Sequence, residues 1–196
     1  MTPQRKKQLH HVLMAMAGDL ATMSLATRSK VGALIVKDGN IKSMGWNGMP
    51  SGFPNEELEH YEDAGLAGAQ LVTNPLVLHA ESNAILKCAR EGSSSAGASL
   101  YVTMSPCPGC AKLIIQAGIK NVFYRDKYRL TEGLDILKRA KIPCKQLKAE
   151  EVDHVHARTG EAATAVVRRS STDDQRRSHK APKQGVIKRQ HRAQAR

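Results

Sequence analysis

The amino-acid sequence predicts an α/β protein, a three-layer α/β/α sandwich, and three observations carry that reading. Apolar residues near the N-terminus recur at steps of three and four. Two β-rich runs follow, joined by a hairpin turn signal. From His79 to about residue 147, helical and strand-like segments alternate.

From Lys6 to Leu25, the residues Leu9, Val12, Leu13, Met16, Leu20 and Met23 make one apolar stripe of a helix, so its methionines are expected in the core. Arg28-Ser29-Lys30 is a short polar loop. Val31 to Val36 and Ile41 to Trp46 read as strands connected by Asp38-Gly39, a two-residue hairpin signal. Gly45 to Gly52 is turn-rich, and its three glycines let backbone approach a ligand closely. Phe53 to Leu78, partly acidic, is expected to hold a short helix and a lid-like loop.

A helix over His79 to Arg90 turns Ala84, Ile85 and Cys88 toward the core and stops at Glu91-Gly92-Ser93. Leu100 to Met104 is a strand that delivers Pro106-Cys107-Pro108-Gly109-Cys110. A helix then covers residues 107–117 and closes at Gly118. A strand over Asn121 to Tyr124, a helix over about 131–140 and a strand over Pro143 to Leu147 complete the pattern.

Two stretches hold the chemistry. His79-Ala80-Glu81 and Pro106-Cys107-Pro108-Gly109-Cys110 supply an imidazole and two thiolates, three donors that zinc prefers. Three protein ligands leave a fourth tetrahedral position for water, the arrangement of a catalytic site. Cys107 and Cys110 stand three apart and share a helix face, where free N–H groups of the first turn stabilise thiolates. Pro108 suits that turn. His79 and Glu81 would diverge by roughly 200° inside a helix, so they reach one point only from a helix start. Two helix N-termini are therefore expected to meet at one zinc, with Glu81 moving protons as general base and then acid. A closed structural zinc of four thiolates could use the same C-x-x-C with Cys88 and Cys144, but it does not explain His79-Ala80-Glu81. No βαβ pattern supports a redox reading.

At 196 residues the chain holds one domain of ordinary size and a remainder. The formal charge of +12 is uneven: residues 1–152 carry 19 basic and 14 acidic side chains, and residues 153–196 carry 11 and 4. From Asp153 onward apolar residues thin out, so a basic, disordered tail is expected after a folded domain at 1–152, with a weak nucleic-acid contact as its main alternative role. No run approaches a membrane span, and no signal-peptide core is visible. Four cysteines, two of them assigned to metal, fit a reducing compartment. The expected location is cytoplasmic, the host cytoplasm if the chain is virally encoded.

H-x-E followed by P-C-x-x-C is the signature of the zinc deaminases. Gly45-Trp46-Asn47-Gly48-Met49-Pro50-Ser51-Gly52, Asn83-Ala84-Ile85, Leu100-Tyr101-Val102-Thr103, the run Ala111 to Lys120, and Asp126-Lys127-Tyr128 extend the match. On these segments, from about residue 8 to residue 148, the chain resembles the deoxycytidylate (dCMP) deaminase family. The resemblance implies the cytidine-deaminase fold, a mixed five-stranded sheet with both zinc helices on one face. It also implies zinc-dependent hydrolysis of dCMP to dUMP and ammonia, supplying dUMP for thymidylate synthesis. His79, Cys107 and Cys110 would bind the metal, Glu81 would be catalytic, and the Ala80 N–H would hold a ring acceptor. Asn47 would contact the sugar, with Arg28, Ser29 and Tyr128 near the sugar-phosphate end.

By the same resemblance the chain would be a hexamer activated by dCTP and inhibited by dTTP, with Mg²⁺ beside the triphosphate. The effector loop would include Gly48, Met49, Pro50 and Gly52. Many relatives carry a cysteine of a second, structural zinc just after this loop. Phe53-Pro54-Asn55 has none, so one zinc per chain is expected. The competing enzyme reading is a tRNA adenosine deaminase, which shares H-A-E and P-C-x-x-C but not the Gly45 to Gly52 segment. A non-catalytic nucleotide-binding relative is a third reading, and Glu81 argues against it.

Overall fold

A computed structural model of the chain describes residues 1–65 and 68–148. Strands β1 (Gly32–Lys37) and β2 (Asn40–Trp46) pair antiparallel, and Asp38 and Gly39 between them both have positive φ, 52° and 77°. That is the two-residue turn whose twist matches a right-handed hairpin. Strands β3 (Glu59–Asp63) and β4 (Ala69–Thr73) form a separate antiparallel hairpin. β5 (Ser99–Met104), β6 (Asn121–Asp126) and β7 (Cys144–Gln146) complete a five-stranded sheet in the order β2-β1-β5-β6-β7. The β1–β5 pair is antiparallel, while β5–β6 and β6–β7 are parallel. The expected mixed sheet is therefore present.

Both faces of the sheet are covered, so its central strands read as nearly continuous apolar runs. Ala33, Ile35, Leu100, Val102, Val122 and Tyr124 face one layer, where they join Ala84 and Cys88 of α2 (Ala80–Arg90), Ala111 and Ile114 of α3 (Pro108–Gln116) and Leu137 of α4 (Glu132–Arg139). The alternate residues Leu34, Val36 and Tyr101 face α1 (Pro3–Ala21) on the other side. Side chains such as Leu100, Ile114 and Leu137 are fully enclosed, each stabilising the fold by about 1.5–3 kcal/mol relative to exposure. Cys88 is buried in this core and Cys144 packs partly against it.

Two expectations are corrected. The apolar stripe of α1 is rotated: Leu13, Met14, Ala17 and Ala21 are buried, whereas Val12 and Met16 are exposed, as is Met23 beyond the end of the helix. Close backbone approach decides the face, since a Cβ on Gly32 would lie 2.1 Å from the Ala17 carbonyl oxygen and 2.6 Å from the Ala21 nitrogen. The small residues of α1 must therefore meet β1. The second correction concerns Phe53 to Leu78, where Asn55–Leu58 is the short helix, a 3-10 turn, and the expected lid-like loop is largely the β3–β4 hairpin. Most of that hairpin is exposed, so hydrophobic alternation does not mark it. The expected tail at 153–196 lies outside the described residues.

Candidate active site

Two helix starts carry the metal-type donors. His79 is the N-cap of α2, with extended backbone (φ −70°, ψ 158°), and the Ser82 hydroxyl donates to its carbonyl oxygen at 2.8 Å. Cys107 is the N-cap of α3, where its Sγ accepts the Cys110 N–H at 3.5 Å and Pro108 takes the first helical position. β5 feeds α3 directly, and α2 and α3 lie side by side on one face of the sheet.

His79 Nδ1 is 3.5 Å from Cys107 Sγ and 3.4 Å from Cys110 Sγ, and the three donor atoms all lie within 4.8 Å of one another. Around a tetrahedral zinc, with Zn–S about 2.3 Å and Zn–N about 2.0–2.1 Å, nitrogen and sulfur ligands are separated by about 3.6 Å. The donors fit zinc in type and spacing. Among the described residues, they are the one such group of three. Hydrogen bonds from Cys110 and His79 pull the Cys107 thiol down to about 3, whereas its bond to Cys107 and burial push Cys110 up. The bond to Cys107 raises His79 against its burial. Metal ligation by these groups requires the thiolate and neutral imidazole forms, so binding a metal here would release protons.

Glu81 stands in the first turn of α2, 4% exposed, and burial pushes its carboxyl above the usual carboxylate range. It is therefore poised to hold and release a proton beside the donors. His79, Ala80, Glu81 and Cys107 line a cavity of about 610 Å³, together with Arg28, Ser29, Asn47 and Tyr128. The structure thus brings eight residues singled out from sequence around one space, with Cys110 just behind it.

Asn47 is committed at both ends. Its Oδ1 accepts the Val31 N–H at 2.8 Å and its Nδ2 donates to the Ser29 carbonyl at 3.0 Å, which pins the Arg28–Lys30 loop. Gly48, Met49, Pro50 and Gly52 do not line the cavity. Instead, Gly48 exchanges two backbone hydrogen bonds with Leu78, the residue before His79.

Several lining residues were not assigned to the site from sequence, among them Glu59, Gln70, Thr73, Ser105, Arg129 and Lys127, the last quoted only as part of a matching segment. Ser105 is buried beside Pro106, and its Oγ accepts the Tyr128 N–H at 2.8 Å, while the Ser105 N–H donates to the Asp126 carbonyl at 2.8 Å. This brings Lys127, Tyr128 and Arg129 to the metal motif. A serine preceding Pro-Cys was the available signal.

An imidazole and two cysteine sulfurs at converging helix starts, with a buried carboxyl two residues beyond the imidazole, match a zinc-dependent hydrolytic deaminase site. The model of the cytidine and deoxycytidylate deaminase zinc-binding region matches residues 7–126, and the chain belongs to that family. It is 40% identical over 131 residues to the deoxycytidylate deaminase of Enterobacteria phage T4, covering 50% of this chain and 68% of that protein. To the deoxycytidylate deaminase of Homo sapiens it is 45% identical over 118 residues, covering 59% of this chain and 64% of the relative. The crystal structure of dCMP deaminase from the cyanophage S-TIM5 in complex with dCMP and dUMP matches with a TM-score of 0.62 and 41% identity, covering 75% of this chain and 99% of that one.

Proposed function

We propose that this chain hydrolyses dCMP to dUMP and ammonia, supplying dUMP for thymidylate synthesis. One observation carries the reading: a zinc-type donor triangle and buried Glu81 share a cavity with Arg28, Lys127 and Arg129, three cationic side chains suited to a phosphate. The relatives named deoxycytidylate deaminase and the match to a dCMP and dUMP complex support the choice of nucleotide.

His79, Cys107 and Cys110 would hold zinc, which when bound supplies Lewis-acid activation of water for attack on cytosine C4. Glu81 takes a proton from the attacking water and delivers it to the ring nitrogen as the C4–O bond forms, then passes the proton of the new C4 hydroxyl to the exocyclic amine, whose bond to C4 breaks to release ammonia and leave the C4 carbonyl. The Ala80 N–H, at the free start of α2, holds a ring acceptor. Asn47 contacts the sugar while fixing the loop that carries Arg28 and Ser29, and Tyr128 helps define the sugar-phosphate end. Ammonia release from dCMP, dCTP, deoxycytidine and an adenosine stem-loop RNA tests the reading, with dCMP expected to be the best substrate. Preference for the stem-loop would instead make the chain a nucleic-acid deaminase.

The regulatory part of the proposal is a homo-hexamer activated by dCTP and inhibited by dTTP, with Mg²⁺ beside the triphosphate and an effector loop of Gly48, Met49, Pro50 and Gly52. Its support is the pair of hydrogen bonds between Gly48 and Leu78, which joins a loop outside the cavity to the start of α2. Sigmoidal dependence on dCMP that becomes hyperbolic with dCTP is the expected signature. Unchanged hyperbolic kinetics would remove regulation from the reading. We place the reaction in the cytoplasm, or the host cytoplasm for a viral chain. Free cysteines support that choice, and no helix among the described residues is long and apolar enough to cross a membrane. The deaminase domain is assigned to residues 1–152, so a chain ended after Glu151 is expected to keep its turnover of dCMP and to lose any salt-sensitive nucleic-acid binding.

A further inference from the structure

Arg28 lies in a stretch without regular secondary structure, between α1 and β1, so something other than a helix or strand must hold it at the cavity. From inside, Asn47 fixes the neighbouring Ser29 and Val31. From outside, one side chain does comparable work. Glu59 Oε2 accepts the Thr27 N–H at 3.0 Å and also the Thr27 hydroxyl, while Oε1 accepts the Arg28 N–H at 2.9 Å. Glu59 opens β3, where it pairs with Thr73 of β4, and Thr73 Oγ1 in turn accepts from Arg28 Nη1 at 3.2 Å. The backbone and the guanidinium of Arg28 are thus tied to two facing residues of one hairpin.

We propose that Glu59 is a positioning residue for the anionic end of the substrate, holding Arg28 over the cavity and so setting discrimination between nucleotide and nucleoside. The proposal rests on the dCMP reading and adds to it a residue that touches no reacting atom. One spent donor leaves the Arg28 guanidinium four more for a phosphate. A carboxylate accepting three hydrogen bonds fixes the loop before substrate arrives, so the loop's ordering cost is not taken from binding. The remaining walls fit this division of labour. Glu81 is buried among the lining residues, whereas Arg28 and Thr73 are exposed and Glu59 is half-buried.

The test compares wild type, Glu59→Gln, Thr27→Val and Arg28→Ala in steady-state deamination of dCMP and of deoxycytidine, with zinc content and circular dichroism measured on each. Glu59→Gln is expected to raise KM for dCMP about tenfold with kcat nearly unchanged, leave deoxycytidine turnover unaltered, and retain zinc. Thr27→Val, which removes one of the three contacts, should move KM in the same direction by a smaller factor. It also keeps the idea testable if Glu59→Gln does not fold. Arg28→Ala should abolish the preference for dCMP, and Glu59→Gln on that background should then add little.

An unchanged dCMP-to-deoxycytidine ratio in Glu59→Gln and Thr27→Val, alongside a collapsed ratio in Arg28→Ala, overturns this inference and leaves the dCMP reading standing. A lowered KM in Glu59→Gln also overturns it, because the carboxylate would then be competing with phosphate for the same N–H groups. Wild type that releases no ammonia from dCMP overturns the reading and the inference together.

Discussion

Gly133→Ala should disturb the zinc donors from a different helix. A Cβ built on Gly133, near the start of α4, would lie 1.9 Å from the Pro106 carbonyl oxygen and 2.8 Å from the Cys107 carbonyl carbon. The first distance is about 1.5 Å short of ordinary contact at 3.4 Å, and the obstacle is backbone that cannot rotate away. Either α4 lifts or the Pro106-Cys107 peptide moves, and such overpacking costs about 1–3 kcal/mol. The gain in helix propensity from alanine, about 1 kcal/mol, offsets only part of it. With a clash this severe the cost is expected toward the upper end, leaving a net loss of about 1–2 kcal/mol that lowers Tm by roughly 2–8 °C for a protein of this size. Because Cys107 is one of the three donors, zinc affinity should also fall, by about 10- to 100-fold as for other residues that support metal ligands. Thermal unfolding with saturating zinc and with excess chelator separates the two effects. The Tm loss should be larger with zinc, since the loop can relax once the metal is gone. An equal loss in both conditions, or none, would refute the claim that Gly133 sets the donor geometry.

Other substitutions probe the remaining parts of the molecule. Glu81→Gln should keep fold and zinc but lower kcat by about 10²-fold or more, because an amide cannot shuttle the proton; loss of zinc on metal analysis would instead make Glu81 a ligand. Cys110→Ala should lose the metal and with it the stability that binding contributes, about 4 kcal/mol when free zinc exceeds Kd a thousandfold, so chelator should lower Tm in wild type and not in the variant. Metal analysis of wild type should return one zinc per chain, and a value of two would contradict the expectation of a single metal site. Burial raises the Tyr101 hydroxyl from 10 to about 12. The folded state therefore holds that proton more tightly, and the associated stability is complete below pH 10 and lost at about 1.4 kcal/mol per pH unit as pH rises toward 12. Tyr101→Phe should flatten the urea-midpoint profile in that window, whatever its effect on absolute stability.

What could be read in the sequence was local in the chain. The apolar runs of β1 and β5, the Asp38-Gly39 turn and the three-residue spacing of Cys107 and Cys110 each depend on neighbours a few positions apart, and all three have their structural counterparts. The opposed helix starts were also legible, because His79 and Glu81 could converge only there. The face of α1 was not, since it is chosen by contact between Gly32 and the backbone at Ala17 and Ala21. Nor was the β3–β4 hairpin, whose exposed strands need no apolar alternation, or Glu59, whose partners lie 31 and 32 residues away. These features depend on which surfaces meet, and a periodicity along one segment does not encode that.

The same distinction explains how the donor triangle is held. α2, which begins just after His79 and carries Glu81, presses on β2 through Gly45, where a Cβ would lie 2.3 Å from the Ala80 carbonyl oxygen and 2.7 Å from the Ala84 nitrogen. The other half-site, at Pro106-Cys107, is pressed by Gly133 of α4. Each half is therefore located by backbone against backbone across a glycine, a contact with no rotamer to adjust. A site that must hold an imidazole and two sulfurs at zinc spacing tolerates little drift, since ligand separations follow directly from bond lengths of about 2.0–2.3 Å. Side chains around α2 and α3 can vary in volume and be accommodated by repacking, but a methyl group at position 45 or 133 must move a donor-bearing segment as a unit. Sensitivity to substitution should accordingly be greater at these two glycines, neither of which lines the cavity, than at exposed residues of the cavity wall such as Thr73 or Lys127.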